Sequence, residues 1–219
     1  MEKIRVLLAE DHAMVREGLC ALLELEKDFE VVAGAGDGRK AVSLALNLLP
    51  DVVVLDLAMP RLNGLEATRQ ILKAIPGTKA LILSAHSDEA YVERAMALGA
   101  AGYLIKQSAA RVLPEAIRAV VQGRKFFSPT VALARDRRRR DFARRGESEE
   151  SAKLSTLTFR EAEVLQLVAE GLANKQIAAE LCISIKTVEK HRQSRMEKLG
   201  IHDTAGLTRH ALATGVISE

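Results

Sequence analysis

Aromatic side chains make up only 3% of this 219-residue chain. Whatever cores it builds must be filled by aliphatic residues, and a hydrophobic content of 48% supplies them. Cysteine is equally scarce. Cys20 and Cys182 stand far apart, with no neighbouring His pair at metal-ligand spacing. That excludes a disulfide scaffold and a thiolate zinc site, and both are expected as buried thiols in a reducing compartment. No run approaches the ~20 uninterrupted apolar residues of a membrane span. Met1 opens directly into a strand-like pattern without the features of a signal peptide, so a cytoplasmic location with no membrane partner is the expectation.

What is present is an alternation of short apolar runs with segments of helical period. Ile4 to Ala9, Phe29 to Ala33, Val52 to Leu55, Ala80 to Leu83 and Gly102 to Ile105 lack polar alternation, as strands covered on both faces require. Between the first two, Met14, Val15, Leu19, Leu22, Leu23 and Leu25 recur every three to four residues and leave Arg16, Glu17 and Glu24 for water. Five such units predict an α/β fold with a doubly wound, five-stranded parallel sheet. Ligands of such sheets bind at the carboxyl ends of the strands. Glu10, Asp11, Asp56, Ser84 and Lys106 each follow directly from a predicted strand, so they should converge at one edge.

Charge decides what that cluster can do. Three carboxylates within a few ångströms repel one another unless a cation or a shifted pKa compensates. Hard oxygen ligands suit Mg²⁺. With Mg²⁺ and the Lys106 ammonium beside it, Asp56 has the surroundings of a nucleophile that carries an acyl phosphate. Each aspartate alone reads more simply as a helix cap. The joint set, with a hydroxyl and a lysine at later strand ends, argues against that reading. A phosphatase that works through an aspartyl phosphate needs a second acid two residues after the nucleophile, and Ala58 occupies that place. A scaffold that keeps the fold only for docking is the other alternative, against which the intact set argues.

These residues resemble the receiver domain of a two-component response regulator, a flavodoxin-like fold, along the whole N-terminal part. The resemblance implies that Glu10, Asp11, Asp56 and the backbone carbonyl of Ala58 bind Mg²⁺ and that Asp56 accepts phosphate from a sensor histidine kinase. It implies that Ser84 and Lys106 contact the phosphoryl oxygens and that Tyr103 is an aromatic switch that turns inward. Met59, Pro60 and Gly64 match the loop after the acceptor.

Charge is unevenly placed along the chain. Residues 1–129 hold 16 basic and 16 acidic side chains, residues 130–153 hold 8 and 5, and residues 154–219 hold 8 and 8. The net +3 therefore sits in the middle segment, which contains Arg137-Arg138-Arg139-Arg140 and reads as a charged linker between domains 1–129 and 154–219. A solvated tether is the plain reading. Arginine contacts to DNA phosphates or to the acidic cluster are the sharper one.

Past the linker the period is wholly helical, predicting an all-α, four-helix domain. Thr158 to Glu161 forms a capping-box start, Asn174 caps a short helix to Leu181, and Ser184 caps a longer helix from Ile185 to Leu199 that ends at Gly200. Asp203 starts the last helix, toward Thr214. Two helices joined by so brief a turn form a helix-turn-helix. On the longer helix Lys186, Glu189, Lys190, Gln193 and Glu197 share a polar face. Lys190 suits guanine, Gln193 adenine and Glu189 cytosine, while Lys186, Thr187 and Lys198 are placed for phosphates. Asn174, Lys175, Ser184 and Arg192 complete the set expected to meet double-stranded promoter DNA.

This stretch resembles the LuxR-type helix-turn-helix of NarL/FixJ-like regulators on Leu157-Thr158, Arg160-Glu161, Gly171, Asn174-Lys175, Thr187-Val188 and Lys198-Leu199-Gly200, among others. The resemblance implies DNA binding through the helix from Ile185 and a homodimer formed chiefly through the last helix. Arg195 departs from it where an aliphatic residue is usual, and its guanidinium is expected to snorkel outward or pair with an acid. Phosphate on Asp56 is expected to act through the helix after Ser84, the strand Gly102 to Ile105 and the helix that follows.

Overall fold

The computed structural model describes residues 3–85, 89–133, 159–181, 183–201 and 203–213. Thr158, Cys182, the side chains of Arg195 and Lys198, and the linker beyond residue 133 lie outside the described residues.

The strands are β1 (Ile4–Ala9), β2 (Phe29–Ala35), β3 (Val52–Asp56), β4 (Lys79–Ser84), β5 (Gly102–Ile105) and β6 (Phe126–Phe127). All pair in parallel, in the order β2-β1-β3-β4-β5-β6. The expected five strands are joined by β6, a two-residue edge strand that pairs Phe126 with Gly102 and Phe127 with Tyr103. Two residues are too few to show a period, which is why the sequence pattern omits it.

The unbroken apolar character of the strands has a direct cause in the packing. Leu7, Ala9, Val53, Leu55, Ala80, Ile82 and Tyr103 face one core, and the residues between them, Val6, Leu8, Val52, Val54, Leu81 and Leu104, face another. Each fully buried Val or Leu contributes about 1.5–3 kcal/mol relative to exposure. The cores are covered by α1 (Ala13–Glu24), α2 (Gly38–Leu48), α3 (Gly64–Ala74), α4 (Glu89–Ala97) and α5 (Lys106–Val121). Of the six apolar residues read as the core face of α1 and its end, only Leu19 and Leu23 are buried, whereas Met14 is 88% and Leu25 86% exposed. Cys20, expected buried, is half-buried.

Residues 129–133 form a further helix, α6, and Val131 is buried in the first core. The N-terminal domain thus extends slightly into the segment read as linker. The C-terminal helices are α7 (Phe159–Ala169), α8 (Asn174–Glu180), α9 (Ile185–Leu199) and α10 (Thr204–Ala213). Val164, Leu165, Leu167, Val168, Ile177, Leu181, Val188 and Leu207 make their common core. Asn174 is the first residue of α8 and not its cap. Ala173 holds that place, its N–H donating to the Gln176 side chain at 2.8 Å. Ser184 caps α9 by accepting from the Thr187 N–H at 3.1 Å, and Gly200 ends it at φ +63.

Candidate functional site

The sheet order places the ends of β1 and β3 side by side, where the chain reverses direction across the sheet. Asp56 and Ser84 are the last residues of their strands, one residue further along than the pattern suggested. Both are buried, at 2% and 1% exposure. Glu10 follows β1, held by its N–H donating to Ala35 O at 3.0 Å. Lys106 begins α5 directly after β5.

Of these groups Glu10, Asp56 and Lys106 meet directly, and Ser84 ends the neighbouring strand. The Lys106 Nζ lies 2.8 Å from Glu10 Oε2 and 3.0 Å from Asp56 Oδ2. Burial, with the Glu10 charge beside it, pushes the Asp56 carboxyl up to about 6, against the pull of Lys106. Burial works against the charge of Lys106 as well, but Asp56 and Glu10 outweigh it and hold the ammonium above its ordinary pKa. Tyr103, expected to swing inward, is already fully buried.

Two neighbours escaped the sequence reading. The Nδ1 of His12 lies 2.9 Å from Asp11 Oδ1 and 3.2 Å from Glu10 Oε1, and Asp11 foremost raises the imidazole pKa. Ligand atoms of Glu10, Asp11 and His12 all lie within 4.8 Å of one another. The carboxylates are the hard oxygen donors that suit Mg²⁺. The second neighbour is Arg16, whose Nη1 donates to Glu10 O at 2.6 Å while its stem packs over Gly34. His12 directly follows the acid pair and was open to notice. Nothing in the helical period distinguishes Arg16 from a solvated arginine.

The loop after Asp56 is tightly held. The Gly64 N–H donates to Leu57 O at 2.9 Å, and a Cβ at Gly64 would fall on the Asp56 carbonyl oxygen. From the other side, a Cβ at Gly38 would fall on Leu62 O. Only glycine permits these approaches.

In the C-terminal domain the expected reading face is open: Lys186, Glu189, Lys190 and Gln193 are all exposed, as are Lys175 and Ser184. Thr187 is half-buried, with its hydroxyl 2.8 Å from that of Ser184. Arg192 Nη1 donates to Asn174 Oδ1 at 2.7 Å, tying α9 to the start of α8. The Gln193 amide donates to Glu197 at 3.1 Å along the helix.

Parallel sheet, strand-end carboxylates with their lysine, and a helix-turn-helix together define a receiver-type signalling domain joined to a DNA-binding domain. The chain belongs to the two-component response regulators with a LuxR-type DNA-binding domain: residues 6–118 match the response regulator receiver domain, and residues 155–211 match the bacterial regulatory proteins of the luxR family. It is 39% identical over 211 residues to the transcriptional regulatory protein DegU of Brevibacillus brevis, covering 92% of this chain and 89% of that one. It is 42% identical over 203 residues to LiaR of Bacillus subtilis, covering 91% and 92%. Among solved structures, RcsB of Salmonella typhimurium superposes with a TM-score of 0.68 at 26% identity, covering 96% of this chain and 97% of that one. The relatives are transcriptional regulators, and this chain is one of that family rather than an enzyme. Among the described residues, no helix is long and apolar enough to cross a membrane.

Proposed function

We propose that Asp56 accepts a phosphoryl group from a sensor histidine kinase and that this modification alters the receiver surface, dimerisation and promoter binding by α9. The observation that carries the reading is the meeting of Asp56, Glu10 and Lys106 within 3.0 Å at the strand ends. Glu10, Asp11, Asp56 and the Ala58 carbonyl are the groups that would hold Mg²⁺, which when bound neutralises charge on the phosphoryl oxygens. As a donor histidine presents its phosphoryl group, the P–N bond breaks and an Asp56 Oδ–P bond forms. The Lys106 ammonium, already paired with Asp56, stays against the developing negative charge. Ser84, one strand over, offers its hydroxyl to a second oxygen, and Tyr103 is the aromatic switch that responds.

At the other end, exposed Lys186, Glu189, Lys190 and Gln193 form the face that reads a major groove, with Thr187, Lys175, Ser184 and Lys198 toward phosphates and Asn174 and Arg192 bracing the turn. Two copies paired through α10 would favour an inverted-repeat site. The domains are residues 1–129 and 154–219, with 130–153 between them as a tether whose first residues belong to the receiver fold. The protein acts in the cytoplasm.

Incubation with ³²P-labelled acetyl phosphate and Mg²⁺ tests the acceptor. Label is expected on the parent chain and not on Asp56→Ala. Equal labelling of the two overturns the assignment.

A further inference from the structure

Arg16 stands one turn into α1, its own N–H donating to His12 O at 3.0 Å. Helical side chains lean toward the N-terminus of their helix, and this one returns across the turn that joins β1 to α1. Its Nη1 donates to the Glu10 carbonyl at 2.6 Å. On the way it passes over the end of β2, where a Cβ at Gly34 would stand 3.3 Å from Arg16 Cδ and one at Gly36 would stand 3.6 Å from Arg16 Nη1. Two glycines thus leave the channel in which this half-buried arginine lies. The turn it crosses is weakly capped. His12, the N-cap of α1, makes no side-chain capping bond, and no acid stands in the first turn of the helix. The His12 N–H donates instead to the Glu10 carboxylate, at 3.3 Å.

We infer that Arg16 is a positioning residue for the cation site: by pinning the Glu10 carbonyl it sets the backbone from which the Glu10 and Asp11 carboxylates reach a divalent cation. The inference rests on the reading of Glu10 and Asp11 as groups that would hold Mg²⁺. A peptide unit is planar, so the bond that fixes the Glu10 oxygen also fixes the Asp11 N–H and the Cα that carries the Asp11 side chain. The plane on the other side of Glu10 is fixed as well, by its N–H on Ala35 O at 3.0 Å. With both planes held, the backbone of the acid pair is set before any cation arrives. The choice of acceptor matters. A guanidinium paired with either carboxylate would occupy oxygens that a cation needs. Directed at a carbonyl, the same charged donor holds the turn and takes none of them. Arg16 therefore acts on a cation in two opposite senses. Its charge repels the ion, and its hydrogen bond places the ligands.

That opposition gives the test its sign. Mn²⁺, which shares the oxygen preference of Mg²⁺, is the probe, and its free fraction is read by EPR on the full-length chain. Arg16→Met keeps the bulk of the stem and loses the charge and the donors. It is expected to bind Mn²⁺ about tenfold more weakly than the parent, the low end for a group that supports metal ligands without touching the metal. Removing a repelling charge alone would tighten binding. A purely structural role would lower the melting temperature and leave affinity unchanged. Either result in a folded variant overturns the inference. Gly34→Val keeps the charge but crowds the stem from its channel, and it is expected to weaken Mn²⁺ binding in the same direction. Parent affinity in that variant also overturns the inference, and it carries the test alone should Arg16→Met fail to fold. Asp11→Asn probes the underlying reading. If it binds Mn²⁺ as the parent does, or if the parent binds none, the acid pair is not the cation site and the inference falls with it.

Discussion

Lys106 and Asp56, fifty residues apart in sequence, meet with the ammonium 3.0 Å from the carboxylate at the ends of β5 and β3. The same ammonium also touches Glu10, so one cation compensates two buried acids. The pocket therefore keeps an excess of negative charge before any phosphoryl group arrives, and that excess depends on pH.

Asp56 has a folded-state pKa of about 6 against an ordinary value of 3.8. A carboxyl raised on folding favours the native state fully below its unfolded value and loses that contribution as pH rises through the folded value. In the absence of divalent cations, Asp56→Asn is expected to melt above the parent at pH 8, by on the order of 2 kcal/mol. The two should converge as pH falls below about 4. Thermal denaturation across that range checks the sign, and a variant less stable than the parent at pH 8 contradicts it.

Gly64→Ala forces a methyl group onto the carbonyl oxygen of Asp56 and within 3.1 Å of Leu57 Cα. Backbone cannot step aside as a flexible side chain can, so a loss of about 1–3 kcal/mol is expected in urea denaturation. Gly77→Ala is the matched control, with nothing within 4 Å of its added carbon. Acetyl phosphate labelling of Asp56 should fall in the first variant and persist in the second.

On the DNA side, Lys190→Ala is expected to cost about 1–3 kcal/mol on a specific duplex and to relax preference at one base position. Lys186→Ala should weaken all duplexes alike and reduce the slope of log affinity against log salt by about 1. Fluorescence anisotropy on specific and scrambled duplexes at several salt concentrations separates the two. If both variants behave alike on both duplexes, the roles assigned to the two lysines are wrong.

The acceptor pocket was legible because a parallel sheet sends its strand ends to one edge, so Glu10, Asp56, Ser84 and Lys106 could be placed together from apolar runs alone. The same logic missed the contact between α7 and the receiver, where Gln166 donates to Met59 O. A helical period separates an apolar face from a polar one, but it does not tell a polar face in water from one laid against another domain. Gln166 lies on the polar side of the α7 period and is nevertheless fully buried. The opposite error occurs on α1, where Met14 and Val15 read as core. They line a surface groove with Gly18, Lys106, Ala109 and Ala110 instead. Six apolar residues in twelve define too broad an arc for one contact surface to cover.

The chain leaves the receiver along β5. Ser128 accepts from the Ile105 N–H through its hydroxyl at 3.3 Å and donates its own N–H to Tyr103 O at 3.1 Å, and Val131 plugs into the core just beyond. The covalent exit is thus anchored on the strand that delivers Lys106. Traction on the tether is delivered to that strand first, whatever the tether's length or composition. Splitting the protein for complementation or grafting a foreign output module should accordingly be done after residue 133, since a cut at 125 would strip the strand of its outer neighbour.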